Sequence, residues 1–101
     1  MPLYSSLFNN IVSSKTITAP GTTGAQTINK PAGSVNFAAA AASLVVTNNL
    51  VTTSSVILCT IGTTDATFTS VKSCVAASGS FTINAVAAAT AETRVNFLVI
   101  N

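Results

Sequence analysis

From residue 15 to the C-terminus, apolar and polar side chains alternate in short runs, the pattern of strands with one buried and one solvated face. Lys15-Thr16-Ile17-Thr18-Ala19 follows it until Pro20-Gly21-Thr22-Thr23-Gly24 supplies turn chemistry. Gln26-Thr27-Ile28-Asn29-Lys30 predicts a short second strand, ended by Pro31-Ala32-Gly33. Ser34-Val35-Asn36-Phe37-Ala38 places Val35 and Phe37 on one face. The alanines of residues 38–42 are too few to nucleate a helix and predict a passage where backbones approach closely.

Ser43-Leu44-Val45-Val46-Thr47 predicts another strand, followed by an Asn48-Asn49 turn and a second break at Thr52-Thr53-Ser54. Residues 55–61 are the most β-prone of the chain, which predicts a central strand there. Gly62-Thr63-Thr64-Asp65-Ala66 predicts a turn, residues 67–75 a strand, and Ala76-Ala77-Ser78-Gly79 a reversal. Residues 80–86 put Phe81 and Ile83 on the same side. After a small-residue connection, residues 94–100 end the chain as a strand expected to insert between others. About eight short strands with turn signals between them predict an all-β fold: a small antiparallel β-sandwich or jelly-roll-like barrel.

Residues 1–14 break the period of two. Leu3, Tyr4, Leu7, Phe8, Ile11 and Val12 stand at near-helical spacing around Asn9-Asn10. Two readings stand: an N-terminal arm that docks on a neighbouring subunit, or a cap on the chain's own core. The organisation is therefore an arm over 1–14 and a single β domain over 15–101, as a length of 101 residues allows.

Composition sharpens this picture. Charged residues are 6% of the chain against 49% hydrophobic, so the polar surface must be built from hydroxyls and amides. A domain of net charge +2 has weak electrostatic protection against edge-to-edge association, and the expectation is that much of its surface is normally covered. The start of the chain lacks the pattern of a secretory signal, and no apolar run approaches a membrane span. Synthesis in the cytoplasm and no membrane partner are expected.

Candidate chemistry is sparse. Histidine is absent, removing the commonest general base and metal ligand, and the only carboxylates are Asp65 and Glu92. Asp65 is expected to bond nearby backbone amides in its turn, and Glu92 to pair with Arg94 on one strand face. Cys59 and Cys74 lack the spacing of a metal hook; their sequence positions leave open whether they pair or remain reduced, mostly buried thiols, the plainer reading. Lys72 reads as a solvated edge-strand charge. Gly21 and Gly24 lack the lysine of a phosphate cradle, and four dispersed basic residues form no nucleic-acid surface. No catalytic, cofactor-binding or metal residues, no cofactor and no enzymatic activity are expected.

Residues 48–57, 77–84 and 90–101, together with Lys15 to Gly24 and Thr27-Ile28-Asn29-Lys30-Pro31, resemble small bacteriophage virion proteins of the capsid decoration (cement) or tail-fibre-tip type. The resemblance implies a compact β fold, a homotrimer, and a place in the virion. On the capsid surface, such a protein would oligomerise on the major capsid protein shell and stabilise the head by apolar burial. That burial contributes roughly 25 cal/mol per Å² before association costs. The alternative is a tail-fibre or receptor-binding tip whose Thr, Ser and Asn loops recognise host surface glycan, with Tyr4 or Phe68 as a stacking face. The resemblance carries over no functional residues; Leu3, Tyr4, Leu7, Phe8, Ile11 and Val12 are the candidate assembly contacts.

Overall fold

The computed structural model describes residues 14–101, and within them the chain is all β. Its strands are β1 (Lys15–Ile17), β2 (Gln26–Thr27), β3 (Ala32–Phe37), β4 (Ser43–Thr47), β5 (Val56–Ile61), β6 (Val71–Ala77), β7 (Ser80–Ala85) and β8 (Thr93–Ile100). They form two four-stranded sheets, the first in the order β1-β3-β8-β5 and the second in the order β2-β4-β7-β6. From β1 to β6 each strand lies in the sheet opposite its predecessor, and only β6 and β7 form a hairpin within one sheet.

The expected β-sandwich is present, with two departures. The sheets are mixed, because short β1 and β2 pair in parallel with β3 and β4; the other pairings are antiparallel. The expected central strand, β5, is instead an edge, and β8 occupies the interior between β3 and β5. Branched side chains report fit to a pleated, half-buried surface rather than position within the sheet. The insertion expected for the last strand is what displaces β5 to the rim.

The core is the seam between β3 and β8 on one side and β4 and β7 on the other. Val35 pairs with Val95, and Leu44 with Ile83, so apolar residues from both sheets point into the same layer. Val35, Phe37, Val46, Phe81, Ile83 and Val95 are fully buried. Two aromatic contacts tie the layer together: Phe81 meets Phe97 at 5.0 Å between ring centroids, and Phe68 stands edge-on to Phe37 at 4.8 Å. Such pairs add to area burial by matching ring edge to ring face.

Three local readings are corrected by packing. Gly33 continues β3 rather than ending a turn, because the Phe97 ring lies where a side chain would sit: a Cβ there would come within 3.0 Å of the ring and 2.5 Å of the Thr16 carbonyl. Residues 67–70 belong to a loop rather than to β6, since Phe68 turns inward to close that end of the core. The reversal before β7 is shorter than expected and occupies Ser78-Gly79, with Gly79 at φ +79°.

The alanine passage is a tight turn docked on the β7–β8 connection. Ala40 donates to the Ala89 carbonyl at 2.7 Å and Ala89 donates back to Ala41 at 3.0 Å. Ala40 adopts φ 71°, a left-handed conformation that costs an L-residue roughly 1 kcal/mol or more. Ala40→Gly should therefore raise the unfolding free energy, by about 0.5–1 kcal/mol after the added freedom of the unfolded chain. In the same urea titrations, Ile83→Val should cost about 0.5–1.5 kcal/mol and Val75→Ala, on an outward position, less than about 0.5. Equal losses at Ile83 and Val75 would contradict the assigned faces.

Candidate functional site

Strand alternation holds over most of the chain but fails at Val56-Ile57-Leu58-Cys59 and Phe97-Leu98-Val99-Ile100, where every position is apolar. Because β5 and β8 are neighbours, these runs fall side by side. Ile57 and Val99 turn inward, which leaves Val56 opposite Ile100 and Leu58 opposite Leu98 on the outer face. Val56, Leu58 and Ile100 are 54%, 51% and 45% exposed. The register extends the Leu58–Leu98 row to Ala32 on β3 and Lys15 on β1.

The remainder of this outer face is polar apart from Ile17 on β1, which lies opposite Ser34 and is 49% exposed. Asn96 donates to Thr60 at 3.3 Å and accepts from Arg94 Nε at 3.2 Å. On β3 the outer positions Ser34 and Asn36 are buried, and the Ser34 hydroxyl has no hydrogen-bond partner. Asn36 sits beneath the β1–β2 loop and donates to the carbonyls of Ala19 and Thr22, both at 3.0 Å. The exposed aliphatic cluster thus belongs to the β5–β8 half of the sheet. The outer face of the second sheet differs: Ser73, Asn84, Thr82, Ser80 and Thr47 dominate, with Val45 and Val75 flanking Thr82.

Asp65 is a structural hub. Its carboxylate accepts from the backbone amides of Thr67 and Phe68 at 3.0 and 2.9 Å, then from Thr90 and Ala91 across the gap at 3.1 Å each, and from the Thr90 hydroxyl at 2.7 Å. One anion therefore clamps the β5–β6 loop onto the β7–β8 connection and holds Phe68 against the core. The Phe68 amide first, then the Thr90 hydroxyl and the Thr67 and Thr90 amides, hold its pKa well below the usual carboxylate range. A cleft of about 340 Å³ opens beside it, lined by Ile61, Gly62, Thr63, Thr64, Phe68 and Thr69. The carboxylate's acceptor capacity is occupied by this loop scaffold, in line with the turn role expected for Asp65.

The other chemically active side chains are disposed as follows. Glu92 does not pair with Arg94; both its carboxylate oxygens accept from the Gly21 amide, at 3.0 and 3.2 Å, while Arg94 turns to Asn96. A backbone N–H at the rim satisfies the carboxylate without ordering a long cationic side chain. Lys72 is exposed on edge strand β6 where the register shifts between Val71 and Ser73, so charge and bulge both mark that edge. Cys59 and Cys74 point inward from β5 and β6 with their sulfurs 2.6 Å apart. Among the described residues no three His, Cys, Asp or Glu side chains converge as a metal site, and no helix is long and apolar enough to cross a membrane.

The candidate assembly contacts Leu3, Tyr4, Leu7, Phe8, Ile11 and Val12 lie outside the described residues, which begin at Ser14 immediately before β1. Of the two candidate glycan-stacking residues, Tyr4 lies outside the described residues and Phe68 is buried against Phe37 and presents no face to solvent. The aliphatic face was not singled out from the sequence; its signal was the loss of alternation in two runs that only the sheet order makes adjacent. No protein-family model matches the chain, and neither does any curated protein or solved structure.

Asp65 supplies a pH prediction. A carboxylate whose pKa is depressed on folding contributes stability that is present above its unfolded value, near 4, and lost as pH falls below it. Thermal melts should show Tm declining progressively below about pH 4, and Asp65→Asn should lower Tm at pH 7 while flattening that acid limb. An unchanged acid limb would remove Asp65 from the role of clamp.

Proposed function

We propose that this protein is a non-enzymatic structural module that assembles through the aliphatic half of its first sheet, as a homotrimeric decoration or cement protein on a bacteriophage capsid. The observation that carries the assembly reading is the cluster of Val56, Leu58, Leu98 and Ile100 on the outer side of a sheet whose inner side is already packed. These side chains complete no core of their own domain. On a chain with 6% charged residues, little like-charge repulsion opposes covering them with protein.

The mechanism is mechanical. Apolar burial between subunits and shell adds attraction without catalysis, and closed rotational symmetry covers the same face on each copy. The capsid placement rests on the resemblance of residues 15–101 to small virion proteins. The arm residues Leu3, Tyr4, Leu7, Phe8, Ile11 and Val12 enter as further contacts, since an apolar arm before a first strand commonly docks on a neighbouring subunit. The glycan-binding alternative is weakened by burial of Phe37, Phe68, Phe81 and Phe97, which leaves no described aromatic as a stacking platform.

Sedimentation velocity on the full chain tests the reading. Wild-type protein should form trimers at micromolar concentration and bind heads formed from the major capsid protein. Leu58→Lys combined with Leu98→Lys should keep a cooperative thermal transition yet shift the species to monomer and reduce head occupancy at least tenfold. A folded double variant that still forms trimers and binds heads fully would overturn the assignment of this face.

A further inference from the structure

β5 and β6 are the edge strands of opposite sheets, and they lie next to each other along one open side of the sandwich. No strand pairing crosses between the sheets at this side. Here the two layers are joined by side chains. The register turns Cys59, opposite Phe97, and Cys74, opposite Ile83, toward the inside of the sandwich, and it sets the two sulfurs 2.6 Å apart. Both residues are half-buried, so the pair lies at the mouth of the gap rather than in the sealed core.

This placement differs from that of an inert buried thiol. Each thiol has the other as its polar partner, and both are set where a small disulfide reagent can approach from the side. Cys74 is the readier thiolate: its hydrogen bond with Cys59 lowers its pKa, whereas Cys59 is raised by the same bond and by burial. The residues between them carry the Asp65 clamp and the bulged start of β6, so a bond here would enclose the whole β5–β6 connection.

We propose that Cys59 and Cys74 are a redox modification site, forming a reversible disulfide that clasps the two sheets when the protein meets a disulfide oxidant such as oxidised glutathione. The Cys74 thiolate attacks one sulfur of the oxidant, making a mixed disulfide and releasing one glutathione thiolate. Cys59, losing its proton to solvent, then attacks the Cys74 sulfur and displaces the second glutathione thiolate. In net terms two protein thiols are oxidised, one glutathione disulfide is reduced to two glutathione thiols, and the two protons lost by the protein end on them at a pH below the glutathione pKa. The inference is independent of the assembly reading, because it concerns one chain and needs no partner surface.

The test uses reduced full-length protein incubated with oxidised glutathione. Thiol titration should fall from two per chain to none, the intact mass should drop by two hydrogens, and the product should stay monomeric in chain number on a non-reducing denaturing gel. Tm should rise by roughly 12–24 °C, reversibly with dithiothreitol, as expected for closing a loop of this length. In Cys59→Ser the same treatment should stop at a glutathione adduct on Cys74 with no rise in Tm. Persistent free thiols, a stable glutathione adduct on the wild type, disulfide-linked dimers, or a disulfide that leaves Tm unmoved would each overturn the proposal; the wild-type readings stand even if the serine variant fails to fold.

Discussion

The structure depends on apolar packing between two sheets, where the inward residues of β3 and β8 meet those of β4 and β7. Burial of Val35, Phe37, Val46, Phe81, Ile83 and Val95 fixes which face of each strand points inward. It therefore fixes register, since a slip by one residue would turn the set to solvent. Everything on the outer surface is then determined by the residues left over. Over most of the chain these are Thr, Ser and Asn. At the β5–β8 pairing they are Val56, Leu58, Leu98 and Ile100, because those two runs have no polar partner to alternate with.

A chain with so few charges must satisfy its loops with neutral side chains, and the structure shows how. Asn48 is fully buried; it donates to the Lys30 carbonyl at 2.8 Å and accepts from the Leu50 amide at 2.9 Å, while Asn36 gathers the carbonyls of the β1–β2 loop. The two carboxylates serve the same purpose, Asp65 at the β5–β6 loop and Glu92 at Gly21. Backbone groups at both ends of the sandwich are paired by short side chains with little rotamer freedom to lose. This division of labour commits both carboxylates to backbone amides. It also leaves the aliphatic face as the feature least explained by the stability of the single domain.

Much of the fold was legible because period-two alternation and turn chemistry are local signals. β4, β7 and β8 fall within a residue or two of expectation, and Ser78-Gly79 does reverse the chain. What was misread depends on contacts distant in sequence. Gly33 looked like punctuation, yet it is a strand residue that makes room for the Phe97 ring. Thr67 and Phe68 carried strand-like composition, yet Asp65 draws their amides into a loop. The branched residues of β5 suggested the centre of a sheet, and the order places them at its rim. The candidate face was hidden for the same reason, since it needs the pairing of β5 with β8; the Cys59–Cys74 contact, open in the sequence, comes from consecutive strands of two facing sheets.

The central claim is that the outer aliphatic half of the first sheet is an assembly surface. A cryo-electron microscopy reconstruction of the assembled particle, at a resolution that shows side chains, tests it most directly. The account predicts Val56, Leu58, Leu98 and Ile100 within van der Waals contact of a neighbouring chain and excluded from solvent. A particle in which those four side chains face solvent, while the hydroxyl-rich outer face of the second sheet makes the contacts, would contradict it.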